Sequence, residues 1–281
     1  QMHSRSSDPA ANLERIDRAA ADAAAGGARL LITPELGLVG YGAGPDLPLL
    51  AEPADGPLAE GLTTIARRHA LAIVAGFAER HGDAVYNSAL FVSADRRAVY
   101  RKSHLYGSYE KRWFHAAPPS VVLVRHDGLT LGLLICYDVE FPENVRRLAQ
   151  AGADAVLVPT ALPAGGSGEF IAAHMIAVRA FENQIFVAYV DNCGSDGDFA
   201  YAGLSRIAAP DGAILAAPHD RDEALLFANI EPAAYARSRA EALCLQARRR
   251  ARCTVEPYSV LVGFLPQHQP QISLGILAAF T

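Results

Sequence analysis

The chain is short of cysteine, lysine and net charge, and each shortage closes off a class of protein. Four cysteines in 281 residues, none at Cys-x-x-Cys spacing, make neither a disulfide scaffold nor a paired-cysteine metal site. No apolar run approaches the roughly 20 residues of a membrane span. Gln1 to Ser7 lacks the basic, apolar, small-residue order of a secretory leader. A formal charge of −5 with a pI near 6.0 offers no basic face of the kind that nucleic acid or an anionic membrane selects. The expectation is a cytoplasmic protein with reduced thiols and neither a nucleic-acid nor a membrane partner. Lysine occurs only at Lys102 and Lys111, arginine filling the rest of the 25 basic positions, so a lysine here says more than usual about its position. What is abundant is apolar: 51% hydrophobic against 20% charged residues, a globular and not a disordered composition.

Apolar periodicity predicts helices over 12–25, 58–69, 142–151 and 169–183 and from Pro232 onward. Between them lie strand-like runs over 28–33, 71–77, 87–93, 98–105, 121–125, 129–136, 153–159, 185–191 and 225–230. Hairpin signals stand at His126-Asp-Gly128 and Pro210-Asp-Gly212. Hairpin and helical connections together imply a mixed sheet system covered by helices. After residue 243 the character changes. An arginine cluster at positions 248, 249, 250 and 252 precedes a stretch, 254–281, whose only charged residue is Glu256. The reading is one α/β domain over residues 8–243 and an atypical C-terminal extension over 244–281.

Three residues combine into a chemistry. Cys136 ends an apolar run and precedes what reads as a helix start at Pro142, so it stands at a strand's rim where a helix N-terminus favours a thiolate. A buried structural cysteine is the other reading. Glu35 ends the run from Ala28 in a glycine-rich segment. There it is either a solvated loop residue or a carboxylate able to act as a general base. Lys102 is either a snorkelling edge lysine or a cation for the negative charge of a tetrahedral intermediate. Each falls at the end of a predicted strand, where open α/β sheets place their ligands. A thiol nucleophile, a carboxylate base and an oxyanion-stabilising cation suffice to hydrolyse an amide through a thioester.

The segments Pro34-Glu-Leu-Gly-Leu-Val-Gly-Tyr41, Arg101-Lys-Ser-His-Leu105 and Cys136-Tyr-Asp-Val-Glu-Phe-Pro-Glu143 resemble, in order and separation, the nitrilase superfamily of carbon–nitrogen hydrolases. Gly152-Ala-Asp-Ala-Val-Leu-Val-Pro159, Arg179-Ala-Phe-Glu-Asn183 and Gly203 to Gly212 extend the resemblance. It implies a four-layer α-β-β-α sandwich, paired into a homodimer or higher homo-oligomer. It also implies Glu35 as base, Lys102 as electrostatic stabiliser, Cys136 as nucleophile and Glu110 as a second glutamate orienting Lys102 or the attacking water. The Tyr137 N–H would complete the oxyanion hole. Neither a metal nor an organic cofactor is expected. Tyr41, Trp113, Phe114, Tyr137 and Ala161 are the candidates for substrate binding, and His104 is read as structural. Cys-Tyr-Asp-x-x-x-Pro-Glu is most similar to amidases acting on small carboxamides. A nitrilase or an N-carbamoyl amide hydrolase is the alternative, and an idle binding partner a remote one. Two departures stand out: Gln1 to Asp8 supplies no apolar first strand, and the C-terminal segment does not match the family's usual tail.

Overall fold

The alternating apolar runs resolve into two six-stranded sheets in a computed structural model that describes residues 1–242 and 273–276. The first sheet contains β1 (Ala28–Ile32), β2 (Ala72–His81), β3 (Ala84–Val92) and β4 (Arg97–Arg101). The second contains β5 (Leu123–His126), β6 (Leu129–Leu133), β7 (Ala155–Thr160) and β8 (Phe186–Asp191). A short hairpin of β9 (Ser195–Asp196) and β10 (Phe199–Ala200) stands apart. β11 (Arg206–Ala208) and β12 (Ile214–Ala216) extend the second sheet, and β13 (Leu226–Asn229) and β14 (Ser273–Ile276) the first. The orders are β13-β14-β1-β2-β3-β4 and β12-β11-β8-β7-β6-β5.

Side-chain alternation in the first sheet separates two cores, as the period of two requires. Leu30, Ile32, Ala72, Val74, Ala89 and Phe91 face the second sheet and share a core with Leu131, Leu133, Ala155 and Leu157. Leu31, Ile73, Ala75, Leu90 and Val92 face outward, beneath Ile16, Ala20 and Ala23 of one helix and Leu58, Leu62 and Ile65 of another. Those helices are Pro9–Ala25 and Pro57–His69. The first is capped by Asp8, whose side chain accepts the Ala11 N–H at 3.0 Å. Pro142–Gln150 and Ile176–Asn183 cover the second sheet through Val145, Leu148, Ile176 and Ala180. The result is the αββα sandwich that the motifs implied. Among the described residues no helix is long and apolar enough to cross a membrane.

Several elements depart from the sequence reading. Cys136 is not the last residue of a strand. β6 stops at Leu133, and Cys136–Glu140 is a tight 3₁₀ turn. The predicted helix over 169–183 begins earlier, at Gly166, and passes through a π turn at Ile171–Met175. A helix over Gly107–Trp113 was not expected. Gln1 to Ser7 forms no strand, only a parallel bridge from Met2 to Asn192. The position beside β1 is instead filled from the chain's other end. β14 runs parallel to β1 and antiparallel to β13, so Ser273–Ile276, assigned by sequence to an extension outside the domain, lie inside its first sheet. Their backbone groups complete a ladder that would otherwise leave β1 as an unpaired edge. The rest of 244–281, with the arginine cluster, Cys244 and Cys253, lies outside the described residues.

β1, β2 and β4 point the same way, because β3 is antiparallel to both its neighbours, and β6, β7 and β8 are parallel to one another. The ends of β1, β4, β6, β7 and β8 therefore deliver Glu35, Lys102, Cys136, Ala161 and Asn192. The two sheets are stitched together there: the Glu35 N–H donates to the Thr160 carbonyl at 3.3 Å, and Asn192 Nδ2 to the Glu35 carbonyl at 3.1 Å. The loop after β1 crosses β2 at Gly76, where a Cβ would lie 2.2 Å from the Leu36 nitrogen and 2.8 Å from Glu35 Cα. Only glycine permits that approach. Gly76→Ala is expected to cost about 1–3 kcal/mol and to displace Glu35. Thermal unfolding checks this, and an unchanged melting temperature would contradict it.

Candidate active site

Lys102 follows β4, its N–H held by the Asn87 carbonyl at 2.8 Å, and its ammonium is fully buried. Nζ lies 2.6 Å from Glu35 Oε1 and 2.6 Å from Glu110 Oε1, and both carboxylates are fully buried as well. The edge-lysine and loop-glutamate readings are thereby excluded. Each carboxylate has further donors. Asn87 Nδ2 reaches Glu35 Oε1 at 2.7 Å. The Tyr41 hydroxyl donates to Glu110 Oε1 at 2.9 Å, and the Tyr106 N–H to Glu110 Oε2 at 2.9 Å. Of the four oxygens of these two carboxylates, only Glu35 Oε2 is buried without a hydrogen-bond partner, which leaves one oxygen of this carboxylate free to receive a proton.

Burial by itself would lower the Lys102 pKa, but Glu110 and Glu35 override it and hold the group well above its ordinary value. Lys102 is therefore a permanent cation. Burial raises the Glu110 carboxyl from 4.5 to about 7; Lys102 opposes that rise and Glu35 adds to it. Burial also pushes the Cys136 thiol well above its usual range; Glu35 and Glu110 push the same way, against Lys102 and the Ala161 N–H. This overturns the expected thiolate. The 3₁₀ turn supplies too little helix dipole to compensate for desolvation beside two carboxylates, so the resting group is a thiol.

The thiol is aimed by backbone strain. Cys136 has φ 44°, a left-handed conformation in a residue with a Cβ, and Leu36, just after Glu35, has φ 51°. Such strain persists only where the surroundings over-determine it. Here Asp138, fully buried, accepts from the Tyr100 hydroxyl (2.8 Å), the Ser103 hydroxyl (2.7 Å) and the His104 N–H (2.9 Å). That ties the Lys102 loop to the Cys136 turn. His104 also stacks on Phe141 at 3.9 Å between ring centroids, which fits its structural reading. Behind the turn, Arg179 donates from Nε to the Val139 carbonyl (2.9 Å) and from Nη2 to the Glu140 carbonyl (2.6 Å). Asn183 donates to the Arg179 carbonyl at 2.9 Å.

A pocket opens at Cys136, lined by Tyr106, Glu140, Leu162, Pro163, Ser167 and Ile171. The candidate substrate-binding residues fall elsewhere. Tyr41 serves Glu110, and Phe114 is buried in the outer core. Trp113 packs against that core with its indole N–H buried and unpartnered. Tyr137 lies edge-on to Tyr106 and Phe141. Ala161 is buried, one residue before the pocket wall at Leu162. Sequence reasoning missed Asn87, Tyr100, Asp138 and Asn192. Their signal was a polar side chain inside or ending an otherwise apolar strand, or two residues after the cysteine. Among the described residues no group of three or more His, Cys, Asp or Glu side chains is placed to hold a metal ion.

Glu110's position predicts a titration. Its folded pKa lies above that of an ordinary carboxyl, so its ionisation opposes the fold. This contribution to stability is complete below about pH 4.5 and is lost as the pH rises through about 7. Carbon NMR of labelled glutamates is expected to show one carboxyl titrating at about pH 7, absent from Glu110→Gln. A spectrum in which every glutamate titrates in the ordinary range would contradict it.

Comparison with known proteins gives the family of the chain. The profile of the carbon-nitrogen hydrolase family matches residues 1–240. A hydrolase encoded in the pqqF 5′ region of Pseudomonas protegens is 42% identical over 255 residues, covering 89% of this chain and 87% of that protein. An (R)-stereoselective amidase of Pseudomonas sp. is 38% identical, covering 76% of this chain and 77% of its own length. Among solved structures, a variant of the amidase from Nesterenkonia sp. AN1, with acrylamide added to its active-site cysteine, superposes with a TM-score of 0.72 at 35% identity, covering 78% of this chain and 86% of that one. The chain belongs to the carbon–nitrogen hydrolase family, within the nitrilase superfamily, as an amidase-like member.

Proposed function

We propose that this protein hydrolyses small carboxamides to a carboxylate and ammonia through a thioester on Cys136. The observation that carries the reading is the buried cluster in which one ammonium, Lys102, contacts both Glu35 and Glu110 at 2.6 Å while Glu35 keeps an unpartnered oxygen. Support from relatives lies in the (R)-stereoselective amidase and in the Nesterenkonia amidase, a variant of which shows Michael addition of acrylamide at the active-site cysteine.

In this mechanism Glu35 takes the thiol proton as Cys136 Sγ attacks the amide carbon. A base is needed because burial holds the proton on the sulfur. The carbonyl oxygen becomes an oxyanion, stabilised by Lys102 and by the Tyr137 N–H. The carbon–nitrogen bond then breaks, and the proton on Glu35 goes to the departing nitrogen, which leaves as ammonia. Water next enters and gives a proton to Glu35, and its oxygen attacks the thioester. The C–S bond breaks, and the sulfur recovers the proton as the carboxylic acid departs. The net reaction consumes one amide and one water and needs no external oxidant or cofactor. Glu110 holds Lys102 in place and, titrating near neutrality, is sensitive to the charge that develops beside it.

Incubation with butyramide is expected to release ammonia and butyrate in equal amounts. Cys136→Ala should lower that rate by about 10³-fold or more without a fall in melting temperature. Well-folded protein that releases no ammonia from any of a panel of small amides would refute the reading, and turnover retained by Cys136→Ala would refute the nucleophile.

A further inference from the structure

Glu140 has no part in the mechanism above, yet it lines the pocket with Cys136. It is the last residue of the 3₁₀ turn that starts at the nucleophile. Its backbone is fixed, since Arg179 Nη2 donates to its carbonyl at 2.6 Å. Arg179 makes no hydrogen bond or ion pair to the side chain, its Nε going to the Val139 carbonyl at 2.9 Å and its Nη1 lying 3.1 Å from Glu182 Oε1, so it acts on the Glu140 carboxylate only as a charge at a distance. Among the described residues no hydrogen bond or ion pair engages the Glu140 carboxylate, although the residue is half-buried and its pKa is raised by that burial. A half-buried carboxylate without a partner is costly unless something else supplies the countercharge.

The groups around the pocket supply it only in part: Lys102 and Arg179 favour the charged carboxylate from a distance, but burial outweighs them. Tyr106, Leu162, Pro163, Ser167 and Ile171 are uncharged. Lys102, the nearby cation, is already shared between Glu35 and Glu110. With Arg179 counted beside Lys102, the local sum is three carboxyl groups against two cations, so the balance still favours positive charge over negative charge in the pocket.

We infer that Glu140 is a specificity-determining residue and that the preferred substrates are carboxamides whose acyl chain carries a protonated amine, which Glu140 receives as the amide carbon meets Cys136. This rests on the amidase reading. An acyl chain ending in a carboxylate would meet Glu140 as a like charge, and a neutral chain would leave Glu140 unpartnered, so both are handicapped relative to a cation.

The test compares kcat/KM for β-alaninamide and γ-aminobutyramide with their uncharged isosteres butyramide and valeramide, and with succinamate. At least one cationic amide is expected to exceed its isostere by about tenfold or more, and succinamate to be the poorest. Glu140→Gln should reduce the ratio of cationic to neutral kcat/KM by about tenfold, mostly through KM, because the contact forms in the bound substrate as well as the transition state. Butyramide and valeramide matching or exceeding their amine counterparts would overturn the inference, as would a ratio unmoved in Glu140→Gln, and either result leaves the amidase reading standing. Protein that hydrolyses none of the five refutes both.

Discussion

One buried ammonium between two buried carboxylates constrains the rest of this molecule. Removing three charges from water costs several kcal/mol for each ion, and the loss is recovered only if geometry and hydrogen bonding are nearly complete. Lys102 therefore needs Glu35 and Glu110 together, and they in turn need Asn87, Tyr41 and the Tyr106 N–H. These groups come from the loop beyond β1, from β3 and from the segment after β4, so the charge cluster can exist only when the first sheet is correctly assembled. The same arrangement leaves Glu35 Oε2 without a partner. An unpaired buried oxygen is a stability defect in a structural ion pair, and it is what a general base requires.

The second sheet supplies Cys136, the proposed nucleophile, under a different kind of constraint. β6 ends at Leu133, and the chain must turn sharply before the helix Pro142–Gln150. The turn takes up the left-handed conformation at Cys136, held by Asp138 on one side and Arg179 on the other. Asp138 is the mechanical link between the sheets' functional ends, because its acceptors engage the residues just after Lys102. The thiol thus arrives beside the charge cluster still protonated, where burial favours the neutral form and Glu35 stands ready as acceptor. In the proposed mechanism, strain, burial and the shared cation together would keep Cys136 inert until a substrate and a base act on it at once.

Much of this was legible in the sequence. The strands and helices with clear apolar periodicity fall within a few residues of their observed limits, and Glu35, Lys102, Glu110 and Cys136 stand out by residue type and local motif. The remainder was hidden for identifiable reasons. The helix Gly107–Trp113 has only Glu110 buried, so it carries no apolar stripe to reveal it. Asn87, Tyr100 and Asp138 act by hydrogen bonds between elements distant in sequence, so the local pattern marks them as polar but does not name their partners. Aromatic residues near the motifs looked like pocket walls, but Tyr41 and Phe114 are committed to the charge cluster and the outer core, while the wall comes from Tyr106, Glu140 and the Gly-rich segment after β7. The thiolate expectation treated the turn after Cys136 as a helix start, and burial outweighed it. The role of Ser273–Ile276 beside β1 depends on a pairing across most of the chain, and nothing in those four residues specifies it.

The central claim is that the charge cluster serves covalent catalysis at Cys136. The most direct measurement is to stop the wild-type protein with acid during turnover of a small amide and map its peptides by mass spectrometry. The account predicts that the peptide containing Cys136 carries the mass of the substrate's acyl group, and that Glu35→Gln, lacking the base, does not accumulate it at a comparable rate. Steady ammonia release with Cys136 unmodified throughout, or acylation at another residue, would contradict it.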